Sequence, residues 1–190
     1  MDLPEVKHRK FFPALITALG GESPLAAEVG VLEGSFSTWL LNKTPGLVLY
    51  SIDAWTDMDG EPMEETFTKC ANSLSPFGTR SIMKKGFSDA MCQEFDDGMF
   101  DFVYIDADHR YEMVLKDLAL WLPKVRSGGV LAGHDYSGRG KGITKAVATV
   151  KNPKRGHKGV RRAVNEFVEE MGLELRTTSE PCPSWWIICP

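Results

Sequence analysis

Residues 100–111 read FDFVYIDADHRY. An apolar run from Phe100 to Ile105 drops abruptly into Asp106, Asp108 and His109. A run of strand length that ends in ionisable groups is the pattern of an interior parallel strand whose carboxyl end opens into a site. Open α/β sheets bind ligands in the crevice beyond those ends, so Asp106 belongs at the rim. Residues 127–136, SGGVLAGHDY, repeat the pattern and end in His134, Asp135 and Tyr136. Two adjacent strand tips would then present Asp106, Asp108, His109, His134 and Asp135 to one cavity. The intervening YEMVLKDLALWLPKV (111–125) reads as the crossover helix, with Met113, Leu115, Leu118, Trp121 and Leu122 on its apolar face.

The 190 residues make one domain of this kind. A chain of that length buries roughly 70% of its unfolded surface, so neither metal nor disulfide is needed to hold it together. Cys70, Cys92, Cys182 and Cys189 show no CxxC or zinc-ligand spacing and read as reduced, mostly buried thiols. No apolar run approaches the ~20 residues of a membrane span, and MDLPEVKHRKFF lacks the order of a signal peptide. The expectation is a cytoplasmic protein without membrane partners.

The net charge of −4 hides an asymmetry, because Arg139 to Arg162 hold nine Lys or Arg and no acid. Such a block can steer an anionic substrate. Its glycines and Pro153 disfavour regular structure, so residues 137–159 read as a basic flexible loop. Nucleic acid is not expected as a partner, since no aromatic side chain interleaves these charges.

The remaining elements build outward from this centre. Residues 1–21 end in an N-terminal helix carrying Phe11, Phe12, Leu15, Ile16 and Leu19, closed by Gly20-Gly21, with His8 solvated before it. Leu25 to Val31 is a strand interrupted by Glu28, followed by Gly34, Ser35 and a helix with Phe36, Trp39, Leu40 and Leu41. Glycine at 30 and 34 lets a ligand approach the backbone, and the helix start offers unpaired N–H groups to an anion. GLVLYSID then ends in Asp53, about twenty residues past the glycine turn, the arrangement that binds ribose hydroxyls in nucleotide-binding α/β folds. RSIMKKGFSDAM supplies a third strand and a turn at Gly86-Phe87-Ser88, where Ser88 caps the next helix or meets an adenine edge. GVRRAVNEFVEEMG is an amphipathic helix, and Leu173 to Thr178 with Trp185 to Cys189 form an antiparallel edge pair. Together these predict a single three-layer, Rossmann-like α/β sandwich.

The stretches EVGVLEGSFSTWLL, SIDAW, FDFVYIDADHRYEMVLKDL, SGGVLAGHDY and GVRRAVNEF resemble the small class I S-adenosylmethionine-dependent methyltransferases, especially those with IDADH-type and GHDY-type motifs. The resemblance implies a seven-stranded sheet, mostly parallel with an antiparallel last strand, and S-adenosylmethionine across its strand tips. It places Glu28, Gly30 and Gly34 around the methionine moiety and Asp53 at the ribose. Ala54 and Trp55 flank the adenine, Gly86, Phe87 and Ser88 close its other side, and Asp106 lies near the reaction centre. Leu32 stands where the commoner motif has its middle glycine.

The same resemblance implies O-methylation of a small-molecule hydroxyl. Asp106, His109, His134 and Asp135 are then the catalytic candidates. His109 or His134 acts as general base, since an imidazole of pKa ~6.5 suits that task near neutrality. Alternatively, Asp106, His134 and Asp135 hold a divalent metal ion that acidifies the hydroxyl. His134 departs from the ligand type of the related metal-dependent enzymes and favours a softer ion than magnesium. Tyr111 and Tyr136 are candidates to line the acceptor pocket. A cofactor-binding domain without transferase activity, serving as sensor or partner subunit, is the competing reading. A nicotinamide-dependent oxidoreductase is disfavoured by the missing GxGxxG spacing. Monomer and homodimer both remain open.

Overall fold

The computed structural model describes residues 3–57, 59–137 and 157–190. Most of the expected basic loop therefore lies outside the described residues. In chain order the elements are α1 (Phe12–Gly20), β1 (Leu25–Val29), α2 (Ser35–Lys43), β2 (Val48–Asp53), α3 (Glu64–Leu74), β3 (Ser81–Lys85) and α4 (Ser88–Met91). They continue with β4 (Phe100–Ile105), α5 (Tyr111–Trp121), β5 (Val125–Gly133), α6 (His157–Met171), β6 (Arg176–Thr177) and β7 (Trp185–Ile188).

The strands form one seven-stranded sheet in the order β3-β2-β1-β4-β5-β7-β6. Strands β1 to β5 pair in parallel, and β7 runs antiparallel to both of its neighbours. The chain winds outward from β1 to β3 and then returns to lay β4 against the other side of β1. That reversal is a topological switch point, so the crevice opens between the tips of β1 and β4.

Strand β4 is hydrophobic on both faces because both are covered. Phe102 and Tyr104 pack with Phe12, Leu15, Ile16, Leu40 and Leu74 from the first three helices. Val103 and Ile105 point the other way, into Val114, Leu118, Trp121, Val164 and Phe167. This period-two alternation between two apolar layers gives the three-layer sandwich, each fully buried large side chain contributing roughly 1.5–3 kcal/mol. Asp101 is the polar exception at the amino end of β4, where it accepts from the Leu25 N–H at 2.8 Å and from Arg126 Nε at 2.7 Å. It ties three strands together at the edge opposite the crevice.

Several local expectations change. The buried face of α5 is Val114, Asp117, Leu118 and Trp121, leaving Met113 and Leu115 only partly covered. A buried Asp117 hides this face from a reading based on hydrophobicity. Helix α6 starts at His157, within the stretch read as loop, and its Met171 is 49% exposed. His8 is not simply solvated: its Nδ1 lies 2.7 Å from Glu180 Oε2, joining the amino-terminal segment to the β6–β7 connection. Strand β6 keeps only two of the residues expected for it.

Candidate active site

Backbone hydrogen bonds continue the sheet past its last strand residues. The N–H of Gly86 donates to Asp53 O at 2.9 Å, that of Gly30 to Ile52 O at 2.8 Å, that of Asp106 to Val29 O at 2.7 Å, and that of His134 to Ile105 O at 3.1 Å. Each tip is bonded to its neighbour, so Gly86, Asp53, Gly30, Asp106 and His134 stand in a row along one rim. The non-glycine residues with positive φ among those described are Leu32 (51°), Trp55 (46°) and Asp135 (54°). All three follow the tips of β1, β2 and β5, and strain of this kind concentrates where a site over-determines its backbone.

The glycines also meet a steric demand from within the protein. A Cβ on Gly30 would lie 2.2 Å from the carbonyl oxygen of Asp106, and one on Gly34 would lie 3.1 Å from Cys70 Sγ. Both therefore make room for other parts of the protein, in addition to adopting φ of 90° and 79°. Gly34 precedes α2 in the left-handed conformation and, having no side chain, gives that helix no cap hydrogen bond. Its first N–H groups are left for another acceptor.

Asp53 knots the rim together. Its Oδ2 accepts from the N–H groups of Val31 and Leu32 at 2.8 and 2.9 Å, and its Oδ1 from that of Trp55 at 2.7 Å. The fork expected to face a diol is thus largely occupied by backbone, with accepting capacity remaining on Oδ1. Trp55 is 1% exposed, packs edge-on against Phe67 and donates Nε1–H to Leu32 O at 2.9 Å. It braces the glycine turn from within the core and does not present a ring to an adenine. Ala54 remains partly exposed beside it.

Glu28 is 2% exposed and hydrogen-bonded to Ser37, so it lies beneath the turn. Burial pushes its carboxyl up to about 8. Phe87 is 62% exposed and Leu32 61%, two apolar side chains at the ends of β3 and β1. Ser88 is neither a helix cap nor free for an adenine. Its hydroxyl donates to Asp117 Oδ1 at 2.6 Å and accepts from Trp121 Nε1 at 2.8 Å, because α5 lies behind it. Burial raises the Asp117 carboxyl to about 6.

The four catalytic candidates do meet. His109 Nε2 lies 3.4 Å from Asp106 Oδ1 and 3.0 Å from Asp135 Oδ2, while His134 Nδ1 lies 3.7 Å from Asp106 Oδ2 and 3.4 Å from Asp135 Oδ1. Hydrogen bonds to Asp106 and Asp135 raise His109 to about 10. Conversely, the hydrogen bond from His109 holds Asp135 well below the usual carboxylate range. Held between two carboxylates, His109 favours its protonated form, which counts against it as a general base. Asp108 turns away, accepting from the N–H and Nε of its neighbour Arg110 at 2.8 Å each.

Tyr111 and Tyr136 do not offer free hydroxyls to an acceptor. Tyr111 bonds to Glu166 and Tyr136 donates to Asn165 Oδ1 at 2.6 Å, both on α6. Sequence reasoning missed Cys182, whose thiol donates to Asp135 Oδ1 at 2.6 Å across 47 residues of chain. No local spacing marks it. Among the described residues, two groups can each offer three potential metal ligands: Asp106, His109 and Asp135, and separately His134, Asp135 and Cys182. His134 thus groups with the thiol as well as lying 3.7 Å from Asp106, its expected fellow ligand.

Fold and rim define a class I methyltransferase, the Rossmann-like kind that takes S-adenosylmethionine. A methyltransferase domain family matches residues 27–136, and the chain belongs to that family. No curated protein matches it significantly. Among solved structures it is similar to cofactor-bound Rv0187 from MTB at 19% identity, covering 99% of this chain and 84% of that one with a TM-score of 0.71. It is also similar to an O-methyltransferase from Bacillus cereus in complex with SAH, at 16% identity over 97% and 82% of the two chains with a TM-score of 0.65. The O-methyltransferase TomG of Streptomyces achromogenes, in complex with SAM and involved in tomaymycin synthesis, matches at 16% identity over 100% and 83% with a TM-score of 0.66. Among the described residues no helix is long and apolar enough to cross a membrane.

Proposed function

We propose that this chain methylates a hydroxyl oxygen of a small molecule with S-adenosylmethionine as donor. The observation that carries the reading is the row of backbone bonds that lines up Asp53, Gly30, Asp106 and His134. The residues suit the cofactor: uncapped N–H groups at the start of α2 for its carboxylate, remaining acceptor capacity on Asp53 for ribose, and exposed Phe87 for the purine. When bound, S-adenosylmethionine supplies a methyl group already activated on a sulfonium. The protein's task is then to orient donor and acceptor, a contribution worth up to ~7–11 kcal/mol.

Two carboxylates against one imidazolium leave the Asp106–His109–Asp135 cluster net negative, which suits a cationic sulfonium better than the neutral product. His109 holds the two carboxylates in place. In the absence of a bound cation, His134 is left as the base that receives the acceptor's proton. A divalent cation is the second reading, favoured by the two sets of three ligands, and it would acidify the hydroxyl directly. Arg161 over the Tyr136 ring at 5.5 Å favours an acceptor with negative charge, whereas Arg162, over the Tyr111 ring at 4.3 Å, is already paired with Glu166 at 2.8 Å. The O-methyltransferase structures from Bacillus cereus and Streptomyces achromogenes support oxygen as the methyl acceptor.

Calorimetry with S-adenosylhomocysteine and turnover with a panel of hydroxyl compounds test this. Asp53→Ala should weaken cofactor binding at least about tenfold, equivalent to ~1.4 kcal/mol. His134→Ala should leave that affinity unchanged and slow turnover by about 10²-fold or more. Unaltered affinity in the first variant removes the ribose assignment, and a product methylated on nitrogen removes the oxygen. Persistence of turnover after chelation assigns the proton to His134, whereas its loss assigns activation to a cation.

A further inference from the structure

We infer that His134, Asp135 and Cys182 form a binding site for a thiophilic divalent cation of the zinc class. One potential ligand atom from each lies within 4.8 Å of the other two. The cluster is set by the register of the sheet, not by a chance meeting of loops. Gly133 pairs with Trp185 across β5 and β7, and the Tyr136 N–H donates to Pro183 O at 2.9 Å. The residues just past β5 are thereby bonded to those just before β7, which puts Cys182 beside Asp135.

The carboxylate of Asp135 faces two ways. Its Oδ1 receives the Cys182 thiol at 2.6 Å and lies 3.4 Å from His134 Nδ1, while its Oδ2 lies 3.0 Å from His109 Nε2. His109 therefore braces the ligand carboxylate from its far side, the kind of outer partner that orients metal ligands. Asp135 and its neighbour His134 are well buried, with side chains 10% and 15% exposed. Asp135 also keeps a φ of 54°, a backbone state that the surrounding contacts must hold.

The donor chemistry selects the ion. One nitrogen, one oxygen and one sulfur suit zinc and related borderline ions, whereas magnesium demands oxygen ligands in octahedral array. With the thiol deprotonated, Asp135 and Cys182 balance a divalent charge while His134 stays neutral; the thiol proton leaves to solvent on binding. The other group, Asp106, His109 and Asp135, offers no sulfur. Three protein ligands leave a fourth position for water or a hydroxyl. The inference uses the proposed function only for what would occupy that position.

Cobalt(II) titrated into the metal-free full chain reads the site directly. A thiolate-to-cobalt charge-transfer band should grow in to one equivalent, be displaced by zinc, and be unaffected by a large excess of magnesium. Cys182→Ser should abolish the band and weaken zinc binding about tenfold or more. His134→Gln should weaken zinc binding while the thiolate band survives, and thermal melts show that both variants fold. Absence of the band, its persistence in Cys182→Ser, or equal competition by magnesium overturns the site. Failure to bind S-adenosylhomocysteine with the cobalt band intact would sink the methyltransferase reading and leave the cation site standing.

Discussion

Glu28 shows how far a residue can depart from its motif. Its place near the end of β1 matches that of a cofactor-facing acid, yet it lies under Ser37 with its carboxyl pushed up to about 8 by burial. In the unfolded chain it ionises near its ordinary 4.5. The folded state thus binds an extra proton between these values, so its contribution is full below about 4.5 and is lost as pH rises to about 8. Glu28→Gln should flatten the fall in stability across that window, as measured by denaturant midpoints at a series of pH values. An equally steep fall in the variant would mean that Glu28 ionises normally. Asp53 carries a related lesson. Its identity and spacing were legible, but the N–H groups of residues 31, 32 and 55 that it gathers depend on how the turn folds back.

At the scale of elements, the turn between β1 and α2 is where steric limits are tightest. Gly30 combines a φ of 90° with a space already filled by the backbone of Asp106 and Ala107. Gly30→Ala should therefore destabilise the protein by about 2–4 kcal/mol and loosen cofactor binding, since β1 and β4 would be forced apart at their tips. A melt within a degree or two of the parent would show that the two tips are not held as close as described. The strand tips themselves were readable from sequence, because an apolar run ending in Asp or His is a local pattern. The face of α5 was not: Asp117 is buried through Ser88, and that partner comes from a separate loop. Tyr111 and Tyr136 likewise found their partners on α6, an element whose docking no local pattern describes.

For the molecule as a whole, stability should be graded across the sheet. Strands β1, β4 and β5 lie between two apolar layers, whereas β6 is a two-residue edge strand that, among the described residues, pairs with β7 alone. Amide exchange should be slowest in residues 26–29, 102–105 and 130–132 and fastest in β6 and the amino-terminal segment, because local opening costs least where few apolar contacts are lost. Protection in β6 equal to that in β4 would contradict this ordering. The three-layer α/β architecture followed from sequence because alternating strand and helix patterns leave few right-handed ways to cover a parallel sheet; the count of seven strands came from the family resemblance.

What the sequence by itself determined was the existence of the rim: the strand ends, the acid at Asp53, and the paired Asp and His motifs at 106–109 and 134–135. These are near-neighbour facts, carried by hydrophobic period and residue type. Only the tertiary structure decided which groups answer one another: His109 between two carboxylates, Ser88 turned to Asp117, Trp55 sealed in the core, and Cys182 beside Asp135. Those pairings depend on strand register and on the docking of distant segments, and side chains separated by 47 positions leave no periodic trace of their meeting.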